Sequence, residues 1–176
     1  MTVWWITLAS SYLLCLVAGM NAKTVYSNGY YTKKYNKFFS FMSVAILVLV
    51  AGLRSGIGDT PTYIQGYKTD APSTIAGSIK LLFSGKKDAG FYFYQGILKS
   101  IVNNPNVFIF VTSLITIVLI FITYYKYSQL LELSVFLFIT TGCYLVTMNG
   151  IRQYLASAIL FFCFPLIHER KWYIYI

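Results

Sequence analysis

The run Val107-Phe108-Ile109-Phe110-Val111-Thr112-Ser113-Leu114-Ile115-Thr116-Ile117-Val118-Leu119-Ile120-Phe121-Ile122-Thr123-Tyr124-Tyr125 decides the fold. It carries no charge, and its length matches the ~20 apolar residues a helix needs to cross a bilayer. Lys126 ends it. Four more apolar runs lie around it, at about Val3 to Met20, Phe38 to Leu53, Leu130 to Thr147 and Tyr154 to Ile167. The second and the last are short for a span. The closing Trp172-Tyr173-Ile174-Tyr175-Ile176 reads as the start of a sixth span, so the chain reads as incomplete at its C-terminus. The expected fold class is all-α. A single polytopic transmembrane domain fills residues 1–176, with about five spans at 3–20, 38–53, 107–125, 130–147 and 154–167.

Composition agrees. The 176 residues are 57% hydrophobic and 11% charged, with 14 basic and 5 acidic groups giving a net charge of +9. Soluble domains carry about 25% charged residues. In this setting the basic excess fits the flanks of membrane spans. No nucleic-acid motif accompanies it, so lipid is an expected partner and nucleic acid is not. Cys15, Cys143 and Cys163 all lie inside apolar runs, where they act as small hydrophobes. Their spacing suits neither a metal site nor a disulfide framework. No metal and no cofactor is expected. His168 is the single histidine, which excludes a His-based zinc site and a Ser-His-Asp triad. It sits in His168-Glu169-Arg170-Lys171, which reads as a solvated cluster. The N-terminus lacks the positive start of a signal peptide and reads as a retained span.

Lysine placement sets the orientation. Lys23, Lys33, Lys34 and Lys37 crowd the loop after the first run, Lys126 follows the third, and Arg170 and Lys171 follow the fifth. The positive-inside rule makes that side cytoplasmic. The N-terminus and the segment 54–104 are then outside. Within that segment Ile75, Ile79, Leu82 and Phe83 recur at helical spacing, as do Phe91, Tyr94, Ile97, Leu98, Ile101 and Val102. Two amphipathic helices lying in the outer interface are expected, joined by Gly85-Lys86-Lys87-Asp88-Ala89-Gly90.

Two stretches carry chemistry. In Met148-Asn149-Gly150-Ile151-Arg152-Gln153-Tyr154-Leu155-Ala156, Asn149 is a good helix N-cap. Arg152 then falls in a first helical turn, where the dipole already favours negative charge, so the place suits a bound anion. Snorkelling to the headgroups is the bland alternative. Gln153 beside it can touch sugar or phosphate. The second stretch is Gly52-Leu53-Arg54-Ser55-Gly56-Ile57-Gly58-Asp59-Thr60-Pro61-Thr62-Tyr63. Asp59 or Thr60 can cap a helix with Pro61 in its first turn. Asp59, five residues from Arg54, can instead hold that arginine or take a proton from a sugar hydroxyl. Two membrane-edge arginines point to an anionic, lipid-linked ligand. Asp70 and Asp88 are further outer acids, and Glu132 reads as a solvated neighbour of Lys126.

Together these pieces resemble the EpsG-like family of bacterial polysaccharide polymerases, related in role to the Wzy O-antigen polymerases. Three ordered segments carry the likeness between Val44 and Ile167: Gly52-Leu53-Arg54 with Gly58-Asp59-Thr60 and Tyr63, then Asp88-Ala89-Gly90-Phe91, then Gly150-Ile151-Arg152-Gln153-Tyr154-Leu155-Ala156. Aspartate stands at position 88 where glutamate is usual. A histidine-bearing segment expected in the family's next span is absent from this sequence. The resemblance implies a multi-pass glycosyltransferase of the bacterial cytoplasmic membrane. It would take undecaprenyl-diphosphate-linked oligosaccharides on the outer face and extend exopolysaccharide, capsule or O-antigen, with other polysaccharide-export proteins as partners. Asp59 and Arg152 are then the expected catalytic residues. Arg54, Thr60, Tyr63, Asp88 and Gln153 are expected to bind substrate. The competing readings are a lipid-linked oligosaccharide flippase, a sugar acyltransferase and a non-catalytic subunit of the same pathway.

Overall fold

The computed structural model describes residues 2–20, 22–27, 30–85 and 87–168. The closing stretch from Glu169, and with it the expected sixth span, lies outside the described residues. In chain order the elements are α1 (Thr2–Met20), β1 (Lys23–Ser27), β2 (Tyr30–Lys34), α2 (Lys37–Gly52), α3 (Thr60–Thr69), α4 (Ile75–Leu82), α5 (Ala89–Ile101), α6 (Pro105–Tyr127), α7 (Leu131–Thr140), α8 (Cys143–Asn149) and α9 (Ile151–His168).

The deciding run forms α6, the axis of the molecule. Asn104 caps it by accepting the Asn106 N–H at 2.9 Å, and Pro105 fits the first turn. Phe108, Ile109, Thr112, Ser113, Thr116, Ile117, Ile120 and Phe121 are buried, one face at helical repeat. The buried hydroxyls of Thr112 and Thr116 donate to the carbonyls of Phe108 and Thr112, four residues back, so they enter the core satisfied. α2 and α9 pack on α6, while α1 packs on α2 and α7. The main core joins Leu47, Ile117, Phe121, Val135, Phe138, Tyr144 and Met148.

α1 and α6 are long and apolar enough to cross a membrane. The run 130–147 is not the single helix expected. It breaks into α7 and α8, bent by 56°. Gly142 sits at the break with φ +82°, a left-handed conformation that ends a helix and suits glycine. By length and composition the pair suits a broken span or a re-entrant loop. α2 and the described apolar part of α9 are shorter; the 16 residues of α2 reach about 24 Å at 1.5 Å per residue.

The lysine-rich loop is a hairpin, with β1 antiparallel to β2 and Thr24 opposite Lys33. A lone hairpin is marginal in water. Tyr35 just after it is buried. Its hydroxyl donates to the Gln129 carbonyl at 2.9 Å and accepts the Leu131 N–H at 2.8 Å. The start of α2 and the α6–α7 turn therefore share one end of the bundle, the lysine end. The expected Glu132–Lys126 neighbourhood is not formed. Lys126 reaches over the Phe162 ring, and Glu132 sits among Tyr12, Leu133 and Phe136 with Oε2 buried and, among the described residues, without a hydrogen-bond partner. Packing of α6 on α9 turns the lysine away.

Both amphipathic segments are helices, as α4 and α5. They meet closely, because a methyl group on Gly96 would strike Ser78 and Pro72. Ile75, Ile79 and Leu82 of α4 and Phe83 just after it are exposed, an apolar face of the kind that lies in a membrane interface. α5 behaves otherwise. Phe91, Tyr94 and Leu98 turn inward onto a second core of Tyr67, Ala71, Phe108, Ile109 and Ile151. That part of its stripe faces protein, while Ile101 and Val102 at its end stay exposed.

Candidate functional site

At the end of the bundle opposite the lysines, α2 stops at Gly52 and Arg54 folds back under it. Arg54 is only 9% exposed. Nε donates to Thr60 Oγ1 at 3.0 Å, Nη1 to Ser113 Oγ at 2.7 Å and to the Ala51 carbonyl, and Nη2 to the Met148 carbonyl at 3.1 Å. Those acceptors sit on α2, α3, α6 and α8. Among the described residues no carboxylate pairs with it. Ala51 and Met148 instead lie in the last turns of α2 and α8, where unpaired carbonyls carry the negative end of the helix dipole. Burial lowers the Arg54 pKa to about 10, which leaves it protonated at neutral pH. Thr60 is fully buried and spends its hydroxyl twice, donating to the Ile57 carbonyl at 2.6 Å and accepting from Arg54.

The expected Asp59–Arg54 pairing is therefore not formed. Asp59 holds the N-cap position of α3, but its carboxylate makes no capping bond. It is exposed. What anchors this residue is its backbone, whose N–H donates to Asn149 Oδ1 at 2.9 Å. Gly58 permits that approach. Its φ is +54°, and a Cβ there would overlap the Asn149 side chain. Asn149 thus does not cap α9 as expected. Its side chain is committed to the Asp59 loop, ninety residues away.

Arg152 lies in the first turn of α9, as expected, behind the buried anchor Ile151. Its Nη1 pairs with Asp88 Oδ2. Asp88 stands before α5 in the left-handed region, φ +66°, a conformation that aspartate tolerates better than most residues. The pair is half open to solvent, with Arg152 39% and Asp88 26% exposed. Exposed ion pairs of this kind contribute about 1 kcal/mol or less. Gln153 next to Arg152 is exposed, and Tyr63 is half-buried with its ring 6.0 Å from that of Phe91. The Asp59 loop, the start of α9 and the turn before α5 thus converge on one exposed patch.

α3 is clamped beneath this patch. Tyr67 stacks on Phe108 at 4.7 Å and donates its hydroxyl to the Val102 carbonyl at 2.8 Å. Lys99 Nζ donates to the carbonyls of Lys68 and Ala71 at the end of α3. Tyr94, off the spans, bonds Thr112 at 2.9 Å, and burial raises its pKa. Sequence reasoning missed Asn149 as a loop anchor and Ser113 as an arginine acceptor. The polar pair Thr112-Ser113 inside an apolar run was the available signal. Among the described residues no cluster of three or more His, Cys, Asp or Glu side chains could hold a metal ion.

No curated protein and no solved structure matches the chain. A family model described as the EpsG family matches residues 37–176. That match takes in both arginines, Asp59, Asp88, Gln153 and every described helix except α1, so the exposed patch lies wholly within it. The chain is a helical membrane protein that belongs to the EpsG family, whose role lies in polysaccharide biosynthesis.

Proposed function

We propose that this protein polymerises lipid-diphosphate-linked oligosaccharide units, of the undecaprenyl type, at the outer face of a bacterial cytoplasmic membrane. The observation that carries this reading is the exposed patch itself. Asn149 holds the backbone of Asp59, whose exposed carboxylate performs no capping task, three residues before the solvent-open guanidinium of Arg152. In the reaction an acceptor sugar hydroxyl attacks the anomeric carbon of the donor. The new C–O bond forms as the bond to the diphosphate breaks, and its electron pair leaves with the phosphate oxygen. Arg152 offsets the charge that builds there. Asp59 takes the hydroxyl proton. Gln153, exposed next to Arg152, and Tyr63, four residues after Asp59, orient sugar or phosphate. Arg54 acts as a positioning residue: it touches no ligand and holds Thr60, and through it the Asp59 loop.

In this reading α2 and α9 also cross the membrane, giving five spans with the lysine end inside. Cysteine labelling tests that orientation. In a background without Cys15, Cys143 and Cys163, single cysteines at the exposed positions Ser55 and Asn104 are expected to react with an impermeant reagent from outside. One at Asn36 is expected to stay unlabelled. The reverse pattern would overturn the outer-face assignment.

Asp59→Asn tests the chemistry. Because the side chain makes no capping bond, protein level should stay close to wild type. Polymer should be lost while lipid-linked units accumulate on the outer face. Accumulation on the inner face would favour the flippase reading. Polymer at the wild-type rate would return Asp59 to a structural role.

A further inference from the structure

We propose that Asp88 is an exchangeable ligand of Arg152, a carboxylate that holds the guanidinium until the substrate's diphosphate displaces it. The exchange rests on the lipid-diphosphate reading of the site and deepens it. Arg152 and Arg54 differ in how their donors are spent. A guanidinium carries five N–H donors in a fixed fork. Arg54 makes four bonds from a buried position, to partners on four helices. No incoming anion can take it without opening the bundle. Arg152 makes a single bond, Nη1 to Asp88 Oδ2, and both side chains reach solvent. Its remaining donors are uncommitted among the described residues. A phosphate engages a guanidinium through two parallel bonds and carries more charge than a carboxylate, so it outcompetes a one-point partner. The cost of parting the pair is modest because both groups already reach solvent, Arg152 at 39% and Asp88 at 26% exposure.

Asp88 is also placed to move. It lies in the turn between α4 and α5, outside both helices, with exposed Lys87 before it. Its backbone carbonyl accepts the Phe91 and Tyr92 N–H groups at 2.9 and 3.2 Å, but its carboxylate makes no capping bond, so the side chain alone can swing away. Displacement breaks one side-chain contact and no helical hydrogen bond. The exchange makes the site selective. A ligand must supply enough negative charge, and at least two acceptor oxygens on one phosphorus, to replace a carboxylate already in place. A neutral sugar lacking a phosphate does not meet that requirement.

The test is titration calorimetry of the full chain in detergent with inorganic pyrophosphate, at fixed ionic strength. Asp88→Asn keeps the size of the side chain and its tolerance of the left-handed turn. It is expected to bind pyrophosphate about tenfold more tightly than wild type, a difference of about 1.4 kcal/mol. Asp70→Asn removes the same charge from an exposed position in the same segment, away from the pair, and should change affinity less than about twofold by the same conversion. Arg152→Ala should lose binding. If Arg152→Ala loses binding but Asp88→Asn gains no more than Asp70→Asn, the exchange is wrong and the diphosphate site stands. If wild type and Arg152→Ala bind equally, or neither binds, the diphosphate reading falls and the exchange falls with it.

Discussion

Arg152→Ala is expected to lower polymer yield by about a hundredfold or more while the protein remains in the membrane at near wild-type level. The size follows from removing one preorganised donor from a site of developing charge, which costs ~10²–10³ in rate. The fold is spared for a visible reason. Among the described residues the guanidinium holds nothing but Asp88, and that carboxylate is hydrated once freed. Arg152→Lys keeps the charge and loses the planar fork, so yield should fall about tenfold, between the wild type and the alanine variant. Polymer yield set against immunoblotted protein in a strain lacking the native gene is the measurement. Normal polymer from well-expressed Arg152→Ala would remove this residue from the mechanism.

The second large effect is of the opposite kind. Arg54→Ala is expected to deplete the protein itself. The substitution strips acceptors on Thr60, Ser113, Ala51 and Met148 of their donor inside the bundle. Each buried polar group left unmet costs about 1–3 kcal/mol. Some will find each other, since Ser113 Oγ already lies 3.4 Å from the Ala51 carbonyl. A net loss on the order of 4 kcal/mol remains, a large share of the ~5–15 kcal/mol that a folded domain has to lose. Arg54→Lys should rescue little, because one ammonium cannot span acceptors on four helices. Thermal unfolding in detergent and membrane protein levels read the effect. A melting temperature equal to wild type in Arg54→Ala would show that the network is not what holds this end together.

The two arginines look alike in sequence. Each follows or opens an apolar helix, and each has a glycine and an amide or acid near it. Their separation into a buried clamp and an exposed ligand site comes from packing alone. Arg54 is surrounded because α3 and α6 close over it. Arg152 stays open because Ile151 beside it takes the buried position in the second core.

What the sequence by itself determined is everything that depends on local spacing. Apolar runs without charge made the helices and the membrane setting, because a lipid environment leaves no other solution for so little polar surface. The 3.6-residue repeat marked α4 and α5, and Pro61 with its neighbours marked the start of α3. The ordered motifs placed the chain in its family. What only the tertiary structure decided is who meets whom. Asp59 lies five residues from Arg54 and does not pair with it, while Asp88 pairs with Arg152 across sixty-four residues. Asn149 leaves its own helix to hold the Asp59 loop, and α5 turns its aromatic face to protein where the pattern fitted lipid equally well. An amphipathic repeat states that a face is apolar but not what covers it. A charge states that it needs a partner, and the partner is chosen by which helices pack together.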